Sequence, residues 1–191
     1  MKTFMHLASV AAVTLAASAA QGAIVQYAAT LNGASESPPN SSPATGSATF
    51  DYDTVTNLLT MSVSFSGLVG TGTTTVAHIH ADTAVAGTGT AGVAIGLTGW
   101  TTGLQSGSYT RTFNMMSTAT YGSSYLGAHG GTAASATTDL LAAMSNGRAY
   151  LNLHSTTNPG GEIRGFIYQV PAPGMLSLVG MCGLLTRRRR S

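Results

Sequence analysis

An all-β fold, built as an antiparallel sandwich, is the fold class that this sequence of 191 residues predicts. From residue 59 to residue 66, apolar and hydroxyl side chains alternate at every position, which is the period of a half-buried strand. Clusters of Gly, Pro, Asn and Asp separate this run from several others of the same kind, as turns separate short strands. The length suits a single domain that buries a core of its own.

The other strands are predicted by further apolar faces that have the same period of two. In chain order these faces are Val25, Tyr27, Ala29 and Leu31; Ala48, Phe50 and Tyr52; Val93, Ile95 and Leu97; Tyr109, Arg111 and Phe113; Ala149, Leu151 and Leu153; and Ile163, Gly165 and Ile167. One segment, 135–144, has the pattern of a short helix instead, with Ser135 as its candidate N-cap and Asn146-Gly147 as its end. The stretch 101–131 is otherwise poorly patterned, and we expect loops there.

Charged residues are few and unevenly placed, which excludes one class of partner. The chain has 8 Lys and Arg against 6 Asp and Glu, but most of the bases lie near its two ends. Residues 24–170 keep three arginines against six acids, which leaves a net charge of −3 with His neutral. Because no basic surface is available for phosphates, we expect no nucleic-acid partner. The single cysteine, Cys182, excludes an intramolecular disulfide and any multi-cysteine metal site.

Residues 1–23 have the features of a secretory signal peptide. Lys2 supplies the early positive charge, and 7–17 form an apolar core too short to span a bilayer as a helix. The small residues that follow allow cleavage after Ala19 or after Ala23. We therefore expect a signal helix that signal peptidase removes, followed by an exported domain over 24–169.

Residues 170–191 form a tail in three parts: a Pro-rich motif, a hydrophobic helix over 175–186, and a basic end. The motif and the end consist of Pro171, Pro173 and Gly174, and of Arg187, Arg188, Arg189 and Arg190. The hydrophobic helix spans about 18 Å, well short of the roughly 30 Å hydrocarbon core of a bilayer. The tail resembles the PEP-CTERM sorting signal of bacteria, which an exosortase recognises, although Ala172 stands where that signal has Glu.

The resemblance of the tail implies transient anchoring in the inner membrane and cleavage near Pro173 by an exosortase-like enzyme. The final location would then be the cell envelope or the space outside the cell. A plain C-terminal membrane anchor is the alternative.

Two histidines in the segment 76–80 are the first candidates for a functional site. On a strand, His78 and His80 lie on the same face with Cα atoms about 6.6 Å apart, so that both imidazoles can reach one ion. Imidazole is a preferred ligand of copper and zinc. His154, at the end of a later strand, completes this metal site if the two strands are neighbours. The alternative is a structural role, with the rings hydrogen-bonded to backbone or carboxylate groups.

Other polar and aromatic residues suggest less specific roles. Glu162 and Arg164 share one strand face, and we expect them to pair with each other or with neighbours and to order the loop before them. His129 lies among glycines and is expected to be an exposed loop residue. Trp100 and Tyr109 are candidates for an exposed aromatic row that binds a polymer, or for the core. The sequence contains no nucleophile and base in the spacing of a known hydrolase motif.

Several short segments, taken in order, resemble the CHRD (chordin) domain. They are 31–39, 43–48, 65–68, 77–80, 151–155 and 158–165. The resemblance implies an extracellular antiparallel sandwich, immunoglobulin-like or superoxide-dismutase-like, with no established enzymatic activity.

A weaker similarity to copper–zinc superoxide dismutases rests on His78, His80 and Arg164. Asp82 could add one further ligand to such a site. Because the domain has too few histidines for two metals and no disulfide, we do not expect dismutase activity.

The function we expect is that of an exported, non-catalytic binding or structural module, sorted to the envelope or the extracellular matrix, where an extracellular polymer is a candidate partner. The alternative is a copper- or zinc-binding protein that uses His78, His80 and His154 and has weak redox activity. The two hypotheses differ in whether the three imidazoles converge.

Overall fold

The computed structural model describes residues 23–171, which contain nine strands and two α-helices. The strands are β1 (Ile24–Asn32), β2 (Thr45–Asp53), β3 (Leu58–Ser66), β4 (Thr74–His80), β5 (Val93–Gly96), β6 (Gly107–Asn114), β7 (Tyr150–Ser155), β8 (Ile163–Phe166) and β9 (Tyr168–Gln169). The helices are α1 (Ser123–Ala128) and α2 (Ala133–Ser145), and within 23–171 no helix is long and apolar enough to cross a membrane. The expected signal helix, and the sorting tail after Pro171 with Pro173, Gly174 and the four arginines, lie outside the described residues.

The strands form one curled antiparallel sheet in the order β5-β4-β7-β8-β1-β2-β3-β6, and β9 pairs with β1. The all-β antiparallel prediction is therefore confirmed, while the particular type of sandwich stays an expectation. Strand β7 lies between β8, which follows it in sequence, and β4, which comes much earlier in the chain. This position of β7 brings together side chains that are far apart in the sequence.

The alternation of β2 and β3 directs their apolar side chains into one core. Phe50, Leu59 and Met61 are fully buried there. On the opposite face, hydroxyls pair across neighbouring strands, as between Thr60 and Thr112, whose oxygens are 2.9 Å apart. Burial of each large apolar side chain stabilises the fold by roughly 1.5–3 kcal/mol.

The helix predicted over 135–144 is present as α2, but its N-cap differs from the prediction. Thr132 is the N-cap, and its side chain accepts a hydrogen bond from the backbone N–H of Ser135. Ser135 therefore lies inside the first turn, where its hydroxyl donates to the carbonyl of His129. A hydroxyl three residues earlier is equally able to cap, and local sequence does not distinguish the two.

Helix α1 lies in the stretch for which loops are expected. Its six residues are too few to produce a helical period in the sequence. The backbone N–H of Gly122 donates to the carbonyl of Ala94 in β5, and the side chain of Tyr125 is buried. Docking onto the sheet edge therefore stabilises a helix that is too short to form alone.

The two aromatic residues considered for polymer binding pack against the core instead. The ring of Trp100 stacks on Phe65 with centroids 5.6 Å apart. Tyr109 is buried, and its hydroxyl donates to the carbonyl of Thr98 at 2.9 Å. These two rings therefore do not form an exposed aromatic row.

The polar face of β7 and β8 is covered rather than exposed to water. Tyr150, Asn152 and Arg164 on this face are at most 5% exposed. Backbone carbonyls of Ser35 and Gly89 accept hydrogen bonds from Arg164. Two loops, one after β1 and one after β4, therefore cover this face.

A substitution at Gly165 tests the close approach of β8 to β1. A Cβ at this position would overlap the carbonyl of Thr30. Because the Thr30 backbone is held in a sheet, we expect Gly165→Ala to lower the free energy of unfolding by about 1–3 kcal/mol. Urea denaturation measures this loss. Gly96→Ala is the matched control, since a Cβ there meets nothing within 4 Å; equal stability of the two variants would contradict the packing described.

Candidate metal centre

The pairing of β4 with β7 brings three histidines together. His78 lies opposite Asn152 in the antiparallel register, and His154 is two residues further along β7 on the same face. The Nδ1 atom of His78 and the Nε2 atom of His154 are 3.3 Å apart. Together with His80, each ring offers one nitrogen, and these three atoms lie within 4.8 Å of one another. The convergence that distinguishes the two sequence-based hypotheses is therefore present in the geometry.

Backbone carbonyls fix the orientation of two of the rings. The Nδ1 atom of His80 is 2.9 Å from the carbonyl oxygen of Ala91, and that of His154 is 2.9 Å from the carbonyl oxygen of Pro159. A carbonyl can only accept a hydrogen bond, so each Nδ1 must carry the proton. The Nε2 atoms of both rings therefore keep their lone pairs, as metal ligands require.

The ring of His80 is further held by stacking. It lies parallel to the ring of Tyr150, with centroids 4.8 Å apart and planes within 2°. Its Nε2 atom is buried and has no hydrogen-bond partner among the described residues. A buried polar atom without a partner costs about 1–3 kcal/mol. This cost would be removed if an ion were bound at that nitrogen.

The surroundings of His78 and His80 favour the neutral form of these two rings, which is the form that binds metal. Burial lowers the pKa of His80 from 6.5 to about 4, and the charges of His78, His154 and Arg164 contribute, although the bond to Ala91 opposes them. Burial, followed by the charge of His154, also lowers the pKa of His78. Protons therefore compete weakly for these two nitrogens at neutral pH.

Arg164 lies behind the histidines, and its carboxylate partner is Glu36 rather than the Glu162 of its own strand face. Its Nε atom is 3.9 Å from Glu36 Oε2, and the two side chains are 4% and 5% exposed. The guanidinium also lies over the ring of Tyr150, with Cζ 4.8 Å from the centroid. Burial raises the pKa of Glu36 to about 7, although the charge of Arg164 and the N–H of Ser37 oppose this shift.

Glu162 is directed toward a different part of the structure. It is fully buried, and its Oε1 atom accepts hydrogen bonds from the Ser42 hydroxyl at 2.7 Å and the Val69 N–H at 2.6 Å. Burial raises the pKa of this carboxyl, but hydrogen bonds, those from Ser155 and Val69 first, outweigh burial and lower it overall. Glu162 therefore orders the loops beside β8 and does not pair with Arg164.

Two other candidate residues lie outside the histidine cluster. His129 is at the end of α1 rather than in an exposed loop, and its Nδ1 atom is 2.9 Å from Asp139 Oδ2. Its ring stacks on Tyr125 with centroids 3.9 Å apart. Asp82, considered as a further ligand, pairs with Arg148 at 3.0 Å.

The sequence interpretation missed Glu36 and Tyr150, because nothing local assigns them a role. Glu36 lies near the start of the domain in the sequence, whereas Arg164 lies near its end, and Tyr150 has the pattern of a core aromatic residue. The composition gives one indication for Glu36: the chain has only 6 acidic residues, and an acid within a Ser- and Pro-rich segment is unusual.

The geometry of the site corresponds to one ion held by three imidazoles. Two nitrogens bound to the same zinc ion are each about 2.0–2.1 Å from it and so lie at most about 4 Å apart. The separations of 4.8 Å or less therefore need only a small adjustment of the rings. With the tautomers that the carbonyl groups set, the donors would be Nδ1 of His78 and Nε2 of His80 and His154.

The lowered pKa of His80 predicts how acid affects the metal-free protein. The unfolded chain takes up a proton at this residue near pH 6.5, but the folded chain does so only near pH 4. The contribution of His80 to stability is therefore complete above pH 6.5 and falls by roughly 1–3 kcal/mol as the pH falls to 4. His80→Phe retains a ring on Tyr150 but cannot be protonated, so it should lose less stability in this range.

Urea denaturation with a chelator present, at about pH 7.5 and about pH 4.5, measures this difference. An equal loss of stability in the variant and in the unsubstituted protein would contradict the assignment.

Comparison with known proteins identifies the family. The CHRD domain model matches residues 27–167, which make up most of the chain and include the three histidines of the cluster. No curated protein and no solved structure matches the chain. The chain therefore belongs to the CHRD domain family.

Proposed function

We propose that this CHRD protein is an exported, non-catalytic module that binds one copper or zinc ion through His78, His80 and His154. The observation that carries the proposal is the buried Nε2 atom of His80, which has no protein partner among the described residues and belongs to a ring that converges with two other imidazoles. Copper and zinc are both ions that imidazole donors suit.

The structural alternative for the histidines explains less. In the absence of an ion, the Nδ1–H of His78 can donate to Nε2 of His154, and carbonyls accept from Nδ1 of His80 and His154. These bonds account for two of the three converging nitrogens. They leave Nε2 of His80 buried and unpaired within the described residues, an arrangement that costs stability unless something binds there.

Export and sorting are the second part of the proposal. The support is the sequence alone: the signal segment 1–23, and the tail 170–191 with Pro171, Pro173, Gly174 and its four arginines. Signal peptidase and an exosortase-like enzyme would act on these segments, with transient anchoring in the inner membrane. The released domain would then act in the envelope or outside the cell, with an extracellular polymer as a candidate partner.

Metal binding is tested on protein recovered from cells that express the full chain. We expect about one copper or zinc ion per chain, and an increase in melting temperature on loading, because an ion at a hundredfold excess over Kd stabilises the folded state by about 2.7 kcal/mol. The double variant His78→Ala/His80→Ala should lose both effects. Isothermal titration and metal analysis provide the readouts.

The matched control for metal binding is His129→Ala, which removes a histidine outside the cluster. It should bind the ion as the unsubstituted protein does. Absence of binding in the unsubstituted protein, or equal binding in all three proteins, would contradict the proposed site.

Processing is tested by intact mass spectrometry after expression in a bacterium that has an exosortase. We expect a protein that begins after Ala19 or Ala23 and ends near Pro173. Replacement of the four terminal arginines by Gln should reduce retention of the precursor in the inner membrane, because the basic cluster keeps the end of the tail on the cytoplasmic side. Recovery of the full-length chain with both ends intact would contradict the sorting proposal.

A further inference from the structure

The three ligands of the proposed site carry no negative charge. Among the described residues, the group that could hold an ion consists of three histidines and no carboxylate. Three neutral imidazoles can also hold Zn(II), so these ligands alone do not decide between a monovalent and a divalent ion, and the charges around the site become decisive. Cu(II) favours a tetragonal site with more than three donors.

A positive charge lies behind this site. Arg164 stacks on Tyr150 with Cζ 4.8 Å from the ring centroid, and the ring of His80 lies 4.8 Å from the same centroid. The guanidinium is fixed in place by Gly89 and Ser35, whose carbonyls accept its hydrogen bonds. The two separations of 4.8 Å place the charge at most about 10 Å from the ring of His80.

This charge repels a divalent ion more strongly than a monovalent one. At a separation of about 10 Å and an effective dielectric constant of about 20, one additional unit of charge changes the relative affinity roughly tenfold. Glu36 offsets the repulsion by Arg164 only in part, because burial raises the pKa of Glu36 to about 7 and its carboxyl group is partly protonated at neutral pH.

We propose that the site selects Cu(I) over the divalent ions Zn(II) and Cu(II), and that Arg164 supplies part of this selectivity. The inference rests on the proposed metal site and adds the charge of the ion to it. Three neutral nitrogen donors match the low coordination number of Cu(I). Arg164 determines specificity through its positive charge, and it does not touch the ion.

The experiment compares the affinities for Cu(I) and Zn(II) in the protein from the full chain at about pH 8, where Glu36 is mostly ionised. Cu(I) affinity is measured without oxygen by competition with a chromogenic Cu(I) chelator, and Zn(II) affinity with a zinc chelator. The ratio of Cu(I) affinity to Zn(II) affinity should fall roughly tenfold in Arg164→Gln and change little in Arg164→Lys, which retains the charge.

Glu36→Gln is the opposing variant, because it removes the partial counter-charge from Arg164. It should raise the preference for Cu(I), opposite in sign to Arg164→Gln. A purely structural role would move both variants in the same direction. If Arg164→Gln does not fold, the sign of the change in Glu36→Gln still tests the inference.

The outcomes distinguish a failure of the proposed selectivity from a failure of the proposed metal site. If neither ion binds, the metal site itself is wrong. If both bind, but Zn(II) binds more tightly than Cu(I) or the two opposing variants shift the ratio in the same direction, the site stands and the selectivity is wrong.

Discussion

The position of β7 between β4 and β8 is the constraint on which the candidate site depends. His78 and His154 are 76 residues apart in sequence, and only antiparallel pairing of their strands places their nitrogens 3.3 Å apart. The same strand carries Tyr150, whose ring contacts both His80 on β4 and Arg164 on β8. A slip of one residue in this register would turn these side chains to the opposite face of the sheet. Fold and site are therefore determined by the same hydrogen-bond ladder.

The loops that cover the polar face of the sheet at β7 and β8 hold its side chains in fixed orientations. Carbonyl groups of Ala91 and Pro159 set the tautomers of His80 and His154, and the ring of Tyr150 also holds that of His80. The loop after β1 contributes a carboxyl group that accompanies the buried guanidinium of Arg164. A buried charge requires such partners, because an isolated one costs several kcal/mol. The chain thus places two of its few charged residues, Arg164 and Glu36, in the surroundings of the three histidines.

Local sequence predicts the strands well and their neighbours poorly. The alternation at 59–66 corresponds to β3, and the same period identifies the face shared by His78 and His80. It cannot predict that β4 lies beside β7, because pairing between distant strands leaves no local period. The alternation also gives no sign that Asn152, next to the buried Leu151, is itself buried in β7. The pairing of Arg164 with Glu36 is hidden for the same reason, since a loop distant in sequence supplies the carboxylate.

The central claim is that three imidazoles bind one ion, and X-ray absorption spectroscopy of the copper-loaded protein tests it most directly. The account predicts three imidazole nitrogens around copper, at distances near the roughly 2.0 Å typical of metal–imidazole bonds, and the loss of one of them in His154→Ala. A spectrum with fewer than three imidazoles, or one that His154→Ala leaves unchanged, would contradict the account.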